Sequence, residues 1–439
     1  MENEKSCNIY QRCFGCEENE SVIILSDNLK LSTFFIEQAK EMNLEVTYVY
    51  LHPKFRPLKR LSKSMLRAIN ESCVVILAYS PRRNETYDFR DSIIEAVSKS
   101  TTARMASIPG FDRETIECIK NTDYDELENL GRDLAEVLTK GRTAKVTSDN
   151  GTDLTIPLGR WNIPAELDNG RILDPGNWDN LPAGEACITP IEDAVNGKFV
   201  VDGGLRFFYL FEKKEKIEIE IKDGRMIDIE GNLSKKIRKL FENYDSMSND
   251  RQIGNIYKVC EMGIGTNRFA RETKNIVEFE KKLGTIHIGF GRNLQLGGNI
   301  DAPMHLDMVM MHPTVEIDNK VIIEDGIINY GYIKKICLES YKESKTDVPL
   351  EQCTLRKSRN PNSDFENGKL MRIWRTPGGK NLSAQVGDDE TSVLAGKVIK
   401  RLAGKKEKFE EICNFLNLGK GDCNKLLALM LEYKVIETE

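Results

Sequence analysis

Two short apolar runs near the amino terminus constrain the fold more than any other feature of this chain. "SVIILS" (residues 21–26) and "CVVILAYS" (residues 73–80) are almost entirely apolar, which is typical of strands buried on both faces of a sheet. Helical patterns, "LKLSTFFIEQAKEMN" and "KSMLRAINES", alternate with these runs and with the strand-like "LEVTYVYL". The alternation predicts a doubly wound, parallel α/β domain over residues 1–145. No GxGxxG motif follows a strand, so dinucleotide binding is not indicated.

Composition limits the class of protein and its partners. A chain of 439 residues with 40% apolar and 30% charged residues fits two or three globular domains. The net charge of −6 supplies no positive field to recruit nucleic acid or an anionic membrane. The polar N-terminus predicts no signal peptide, and no apolar run reaches the ~18 residues of a membrane span. Eleven cysteines, an odd number, favour reduced thiols, so we expect a cytoplasmic protein.

The sequence pattern changes near residue 146. "AKVTSDNGTDLTIPLG", "KIEIEIKDGRMIDIEG" and "EIDNKVIIEDGIINYG" are short alternating runs interrupted by Asn-Gly and Asp-Gly pairs. Such pairs favour the tight turns of antiparallel hairpins. We therefore predict an antiparallel, β-rich domain over residues 146–332, which would carry a metal site.

The C-terminal part predicts a separate small module. Residues 333–365 are largely polar and are expected to be a linker. Within residues 366–439, "ETSVLAGKVIKRLAG", "KKEKFEEICNFLN" and "GKGDCNKLLALMLEYKVIE" have the pattern of amphipathic helices, the outline of a winged-helix-like module. Its last helix has no dense basic face, so DNA binding is possible but not favoured over peptide binding, or over a packing or dimerisation role.

Histidine is scarce here, and three of the four histidines lie within 26 positions. In an extended strand, residues i and i+2 share a face, so His305 and Asp307 in "MHLDMVMM" project together. By the same argument, His287 faces away from the apolar residues of "GTIHIGFG". In "KVCEMGIGTN", Glu261 faces away from its neighbours, among them Cys260, which is expected to pack in the core. Histidine with carboxylate is a ligand set for zinc, manganese, cobalt or iron. Neighbouring glycines would let backbone or substrate approach closely.

The remaining histidines and the N-terminal cysteines have simpler interpretations. His312 would lie on the opposite face from His305 and precedes a proline, so it is expected to be structural or to support a ligand. His52 precedes another proline and is expected in a solvated loop. Cys7, Cys13 and Cys16 lack a fourth ligand nearby for a structural zinc site, so free thiols in a loose terminus are expected.

Several ordered motifs resemble one enzyme family. "SDNGTDLTIPLGR", "LPAGEACITP", "CEMGIGTN", "GTIHIGFG" and "NIDAPMHLDMVM" are similar to those of the aminopeptidase T (M29) metallopeptidases and their leucyl aminopeptidase-like relatives. The resemblance spans residues 20 to about 330. It implies an α/β N-terminal domain, a β-rich catalytic domain, a dinuclear metal site and a homodimer.

The resemblance also implies particular site residues. Its metal ligands fall on Glu185, Glu261, His287, His305 and Asp307. The three carboxylates balance two divalent ions and a bridging hydroxide better than one ion, whose site would keep a net negative charge. The expected enzyme is therefore a two-metal aminopeptidase-type hydrolase using zinc, cobalt or manganese on a peptide or small amide, with Glu185 accepting the proton of the attacking water.

Two other functions remain open at this point. The aminopeptidases place a tyrosine about seven residues after the first histidine, and this chain has Leu294 there. A branch of the same superfamily resembles a mononuclear, non-haem iron dioxygenase that opens dihydroxypyridine rings. Two histidines and one aspartate (His287, His305 and Asp307) form the facial triad that binds iron(II) in such enzymes. A third possibility is a peptide- or DNA-binding protein whose catalytic domain is inactive.

Overall fold

A computed structural model describes residues 8–82, 85, 88–159 and 163–333, together with short segments beyond residue 333. The chain folds into two compact units. The first comprises residues 1–329 and 375–380, and the second comprises residues 330–374 and 381–439. Cys7 lies outside the described residues.

The first unit contains all the elements that position the candidate site. Its helices are α1 (Ile9–Phe14), α2 (Leu29–Glu41), α3 (Lys63–Asn70), α4 (Asp88–Ser98), α5 (Arg113–Asn121), α6 (Tyr124–Lys140), α7 (Ser234–Asp245) and α8 (Ile276–Phe279). Its strands are β1 (Ser21–Ser26), β2 (Glu45–Tyr50), β3 (Val74–Tyr79), β4 (Arg104–Pro109), β5 (Thr143–Thr147), β6 (Asp153–Pro157), β7 (Glu166–Asp168), β8 (Trp178–Asn180), β9 (Glu185–Ile188), β10 (Asn196–Val201), β11 (Gly204–Leu205), β12 (Ile217–Lys222), β13 (Arg225–Glu230), β14 (Val259–Gly265), β15 (Ile286–Gly291), β16 (His305–Met310), β17 (Thr314–Ile317), β18 (Lys320–Glu324) and β19 (Ile327–Ile328).

The predicted parallel α/β sheet is confirmed. Its order is β2-β1-β3-β4-β8, and every neighbouring pair is parallel. Even-numbered residues of β1, such as Val22, pack with Phe35 of α2, and odd-numbered residues, such as Ile23, pack with Ile69 of α3 and Ile93 of α4. The strands are apolar because helices cover both faces. The last strand, β8, comes from beyond residue 146, so the sheet draws on the segment predicted as β-rich.

A buried arginine fills the crevice where strand order reverses, between β1 and β3. Doubly wound sheets commonly bind ligands at this point. Here the Arg56 Nη1 lies 2.6 Å from Asp27, its Nε donates to Glu85 at 2.7 Å, and its Nη2 donates to the Ser80 carbonyl at 3.0 Å. The guanidinium also lies over the Tyr79 ring. The crevice is thus closed by an ion-pair network, and Tyr79 and Ser80 are left to line the neighbouring cavity.

The predicted antiparallel β structure is also confirmed, as two sheets. One has the order β13-β12-β10-β6-β5-β17-β18-β19, and the other contains β11-β16-β15-β14-β9-β7 as antiparallel neighbours. Two-residue turns with both residues at positive φ close three hairpins of the first sheet, as the right-handed twist of paired strands requires. These turns are Asp223–Gly224, Asp318–Asn319 and Asp325–Gly326.

The second unit is described only in part. Thr354–Lys357 is the central strand of an antiparallel sheet between Lys406–Lys408 and Ile436–Thr438, and a helix spans Phe409–Leu416. Further strands span Phe365–Glu366, Lys369–Arg375 and Asn381–Gln385. The predicted linker therefore contains a strand. Most of the first and third predicted helices of the winged-helix-like module lie outside the described residues, and the predicted domain boundaries stay predictions.

The expectation of a loose N-terminus is wrong. Ile9, Tyr10, Cys13, Phe14 and Cys16 are buried in the core below β1, so the terminus is anchored from residue 9 onwards. The short helix can pack there because its apolar side chains recur on one face. None of the helices in the described ranges combines the length and the apolar character that a membrane-spanning helix needs.

Replacing Arg56 with Met is expected to destabilise the protein by about 3–5 kcal/mol, because Asp27 and Glu85 would remain buried without their cation. Urea denaturation measures this change. Lys40→Met breaks an exposed pair with Glu37 and should cost less than about 1 kcal/mol. Equal effects of the two substitutions would contradict the role assigned to Arg56.

Candidate metal centre

The candidate ligands on β14, β15 and β16 each face a glycine on the neighbouring strand. The paired positions are Glu261 and Gly289, His287 and Gly263, His305 and Gly291, and Asp307 and Gly289. On β9, Glu185 pairs with Gly265. Because glycine has no side chain, the sheet keeps an open groove in which imidazoles and carboxylates can lie flat against the backbone.

The groove leaves no room for an additional methyl group. A Cβ on Gly263 would overlap the His287 ring, and a Cβ on Gly289 would lie 2.9 Å from both Glu261 Cβ and His305 Nε2. The alternation of glycine with ligands in "EMGIG" and "HIGFG" therefore has a steric cause. Of the glycines predicted to admit backbone or substrate, Gly289 instead admits ligand side chains, whereas Gly291 does admit backbone, the Met304 carbonyl.

His305 is oriented by its backbone contact. Its Nδ1 donates to the Arg292 carbonyl at 2.7 Å, which directs Nε2 into the site. There, Nε2 lies 2.9 Å from Asp307 Oδ1 and 2.9 Å from Glu261 Oε2. A backbone acceptor on one imidazole nitrogen, with the other nitrogen free for a cation, is the usual arrangement of a metal-binding histidine.

His287 completes the group from the neighbouring strand. It is fully buried, and its Nε2 lies 3.5 Å from Glu261 Oε1 and 3.2 Å from Glu185 Oε2. Glu261 therefore lies between the two imidazoles, one oxygen towards each. The structure brings together all five side chains predicted from the sequence and the family resemblance.

Without a metal ion, this group retains protons on its imidazoles. Burial opposes protonation of His287, but the charge of Glu185 and the hydrogen bond to Glu261 raise its pKa to about 10. Burial likewise opposes protonation of His305, and the charge of Asp307 still raises its pKa well above the usual range. Burial would raise the pKa of Glu261, but hydrogen bonds from both histidines hold it well below its usual range. The carboxylates thus create a negative potential at the imidazoles, which favours binding of a cation there.

A buried lysine that the sequence pattern did not reveal lies beside Glu185. Lys281 Nζ is 2.9 Å from Asp168 and 3.3 Å from Glu280, and it also contacts Glu185 Oε1. Burial raises the pKa of Glu185 to about 7 against the opposing charge of Lys281. Burial also raises the pKa of Glu280 to about 8, and the charge of Asp307 adds to that shift. Lys281 follows an acidic, helical segment, and no strand pattern marked it in the sequence.

Two cysteines that were not predicted as site residues also reach the group. Cys187 shares the groove face of β9 with Glu185, and its Sγ lies within 4.8 Å of carboxylate oxygens of Glu185 and Glu261. Cys260 was predicted to face the core. It packs with Ile300 but also approaches His305 Nδ1 at 3.5 Å, because the strand register shifts between residues 259 and 261. The i+2 spacing from Glu185 could have revealed Cys187, whereas a bulge is not visible in the sequence.

The other singled-out positions lie apart from the group. His312 lies beyond the end of β16, is 70% exposed and approaches Asp325 at 3.6 Å, so it supports no ligand. His52 caps a short turn at the surface, where its Nδ1 accepts from the Lys54 amide. Leu294, at the position of the family tyrosine, is 40% exposed.

The five candidate metal ligands line a cavity of about 340 Å³. The end of the parallel sheet contributes Tyr79 and Pro109 to its wall, and the antiparallel sheet contributes the ligands. The volume is within the ~300–1,000 Å³ of small-molecule sites. Aromatic and basic side chains complete the lining: Trp178, Phe207, Tyr209, Arg90, Arg206, Lys274 and Arg292.

The residues present fit a divalent metal ion. The atoms of Glu261, His305 and Asp307 that can bind a metal lie within 4.8 Å of one another, and His287 Nε2 borders the same carboxylate. Imidazole nitrogen with carboxylate oxygen suits zinc, manganese or iron. The glycine groove holds these donors where a Cβ would displace them.

Comparison with known proteins identifies a ring-cleaving enzyme family rather than a peptidase family. The family model described as NicX, 2,5-dihydroxypyridine 5,6-dioxygenase, matches residues 103–330, just over half of the chain. The 2,5-dihydroxypyridine 5,6-dioxygenase of Pseudomonas putida KT2440 is 28% identical over 203 residues, 44% of this chain. The match spans only 56% of that relative's own length.

Two solved structures share the fold. The 2,5-dihydroxypyridine dioxygenase from Pseudomonas putida KT2440 has a TM-score of 0.54 at 20% identity, over 71% of this chain and 92% of that one. Wild-type AmpT from Thermus thermophilus has a TM-score of 0.51 at 14% identity, over 73% of this chain and 96% of that one.

The prediction of an aminopeptidase-type hydrolase is therefore wrong. The motifs similar to aminopeptidase T correspond to a fold that the two kinds of protein share, while the family model and the curated relative are both dioxygenases. One fold with the same kinds of metal ligand can support different reactions, so the reaction could not be predicted from the fold and the ligands alone.

Gly263→Ala is expected to weaken binding of a divalent ion about 10- to 100-fold, because the new methyl group would displace the His287 ring. Titration with Mn²⁺ under anaerobic conditions measures the change. In Gly331→Ala the added methyl group would meet no atom within 4 Å, so this control should bind as the wild type does. Unchanged binding by Gly263→Ala would refute the glycine-groove account.

Proposed function

Since this chain belongs to the NicX, 2,5-dihydroxypyridine 5,6-dioxygenase, family, we propose that it is an iron-dependent dioxygenase that opens a hydroxylated aromatic ring. The observation that carries the proposal is that His305 contacts Asp307 and Glu261, and that His287 borders the same Glu261, at the wall of a small-molecule cavity. Two imidazoles and one carboxylate on one face are the protein ligands of many non-haem iron(II) oxygenases, whose other positions stay open to substrate and oxygen.

We propose one iron, not the two ions inferred from charge counting. That inference counted Glu185 as a full negative charge available to a metal. Lys281 Nζ instead contacts Glu185 Oε1, and burial raises the pKa of Glu185 to about 7, which reduces its negative charge near neutral pH. Asp168 and Glu280 also surround the ammonium group, which thus occupies the position beside Glu185 that a second cation would take. Iron(II) replaces the expected zinc, cobalt or manganese in the proposal, because zinc is redox-inert and two histidines with one carboxylate are the usual ligands of iron(II) in non-haem oxygenases.

The surrounding side chains have defined tasks in this proposal. Iron(II), when bound, would supply the redox chemistry between dioxygen and the ring. The Arg292 carbonyl keeps the His305 Nε2 directed into the site, and the two oxygens of Glu261 fix the spacing of the imidazoles. Lys281 holds Glu185 in place beside His287.

The cavity walls suit a planar ring. Trp178, Tyr79, Phe207 and Tyr209 line it, and Arg90 lies over the Trp178 ring at 4.7 Å. Aromatic side chains bind planar rings through stacking and edge contacts. They also limit the access of water to the reacting centre.

Loss of His305 tests the proposed function. The protein, loaded with iron(II) without oxygen, is expected to consume O₂ when 2,5-dihydroxypyridine is added. His305→Ala should abolish oxygen uptake and strip the metal, because it removes the ligand next to Asp307 and Glu261. His312→Ala, an exposed control, should keep both properties.

Oxygen uptake and metal content are measured in parallel on the same preparations. Because the substrate of this chain can differ from that of its relatives, the panel of substrates includes dihydroxylated pyridines and benzenes with and without a ring carboxylate. No oxygen uptake with any ring, from a protein that holds one iron per chain, would contradict the proposal. Equal loss of iron from the His305 and His312 variants would contradict the ligand assignment.

Lys281→Met tests the single-ion site. The wild type should bind one Mn²⁺ per chain with high affinity, whereas the variant should gain a second ion, because Asp168, Glu185 and Glu280 lose their shared cation. Metal titration gives the stoichiometry, and a larger rise in melting temperature on adding Mn²⁺ should accompany it in the variant. Lys282→Met, whose partner is Glu272 at the surface, is the matched control. Two ions in the wild type, or one in the Lys281 variant, would refute the assignment.

A further inference from the structure

A two-residue turn follows β11, next to the strand β16 that carries His305 and Asp307, and it has the features of a substrate-recognition element. Strand β11 pairs with β16, with Leu205 opposite Met308. Leu205 and Phe208 then exchange backbone hydrogen bonds of 2.9 and 2.8 Å, so Arg206 and Phe207 form the turn. In this register the turn begins at the level of Asp307, and both of its side chains line the cavity.

The backbone of the turn is strained at Phe207. Its φ is +69°, in the left-handed region, which a bulky aromatic residue rarely adopts and which glycine or asparagine would occupy at lower cost. Strain of this kind persists where the side chain has a task that a smaller residue could not perform. The Phe207 side chain lines the cavity, so we expect it to contact a molecule bound there.

Arg206 is a cavity cation without an acidic partner among the described residues. Its guanidinium lies 5.1 Å from the centre of the Phe207 ring, and its buried Nε has no hydrogen-bond partner in the described part of the chain. The other basic residues of the cavity have polar partners. Arg292 approaches Asp91 and Asp301, and Lys274 approaches Glu212. Arg90 donates to Ser107 and Asn180. An unpaired, half-buried guanidinium is costly unless an anion from outside completes it.

We propose that the Arg206–Phe207 turn binds a carboxylate carried by the aromatic substrate, so that the substrate class is a hydroxylated aromatic carboxylate. The guanidinium presents parallel N–H donors that match the two oxygens of a carboxylate, and the Phe207 ring holds it in position. The hydroxylated ring then extends towards His305 and Asp307, on the strand next to β11. This inference rests on the proposed function for the fate of the ring, but the binding step is measured separately.

The test compares two probes that share one ring and differ by a carboxylate, namely 6-hydroxynicotinate and 2-hydroxypyridine. Each lacks the second hydroxyl, and titrations use the iron(II)-loaded protein without oxygen, so only binding is observed. The wild type should bind 6-hydroxynicotinate about tenfold or more tightly than 2-hydroxypyridine, as a charge-assisted hydrogen bond provides. Arg206→Gln should remove this preference and leave the affinity for 2-hydroxypyridine within about twofold.

Two further variants show whether a loss of binding comes from the turn itself or from a general loss of folding. Phe207→Gly relieves the strained φ, so it should keep or raise the melting temperature while lowering the affinity for 6-hydroxynicotinate. Arg225→Gln is the matched control, because Arg225 lies over the Tyr257 ring at 5.6 Å and does not line the cavity. It should retain the preference of the wild type.

The outcomes separate this inference from the proposed function. Equal affinity of the wild type for the two probes, no binding of either, or a preference that survives Arg206→Gln would overturn the inference. Ring cleavage of uncharged substrates alone would also overturn it and leave the dioxygenase proposal standing. A carboxylate preference in a protein that cleaves no ring would support the inference and overturn the dioxygenase proposal.

Discussion

The register of three antiparallel strands is the constraint on which the site depends. Across β14, β15 and β16, each imidazole or carboxylate lies opposite a glycine, so side chains from different strands can meet above the sheet. A residue with a Cβ at Gly263 or Gly289 would occupy the space of a ligand. Because a shift of one residue in register would turn every ligand to the other face, the same pairing fixes both the fold of this sheet and the geometry of its chemistry.

Electrostatics then distinguishes one cation position from another. Glu261 lies between His287 and His305, whereas Glu185 is shared between His287 and Lys281. A cation bound between the two histidines would have to come from solution, whereas the cation beside Glu185 is the side chain of Lys281. A lysine at this position supplies a cation without a second Lewis acid, which suits a mononuclear oxygenase better than a two-metal hydrolase.

The sequence predicted the elements with strong periodicity and missed contacts that depend on tertiary packing. The apolar runs around Ile23 and Val75 predicted a parallel sheet, because a strand that is buried on both faces is apolar at nearly every position. Strand alternation put His287, His305 and Asp307 on a common face, whereas Glu185 came from family resemblance. Lys281 contacts Glu185 only because of the tertiary fold, and its own segment has no strand pattern from which this contact could be predicted. The predicted reaction is wrong because a dihydroxypyridine dioxygenase and AmpT share this fold. The absence of the aminopeptidase tyrosine, at Leu294, fits the dioxygenase alternative.

Iron K-edge X-ray absorption of the protein, loaded anaerobically with iron(II), tests the central claim most directly. The account predicts one kind of iron with light-atom ligands that include two imidazoles, from His287 and His305, and no metal neighbour within about 4 Å. A second metal at about 3.5–4 Å, as in two-metal hydrolases, or a spectrum without imidazole ligands, would contradict it.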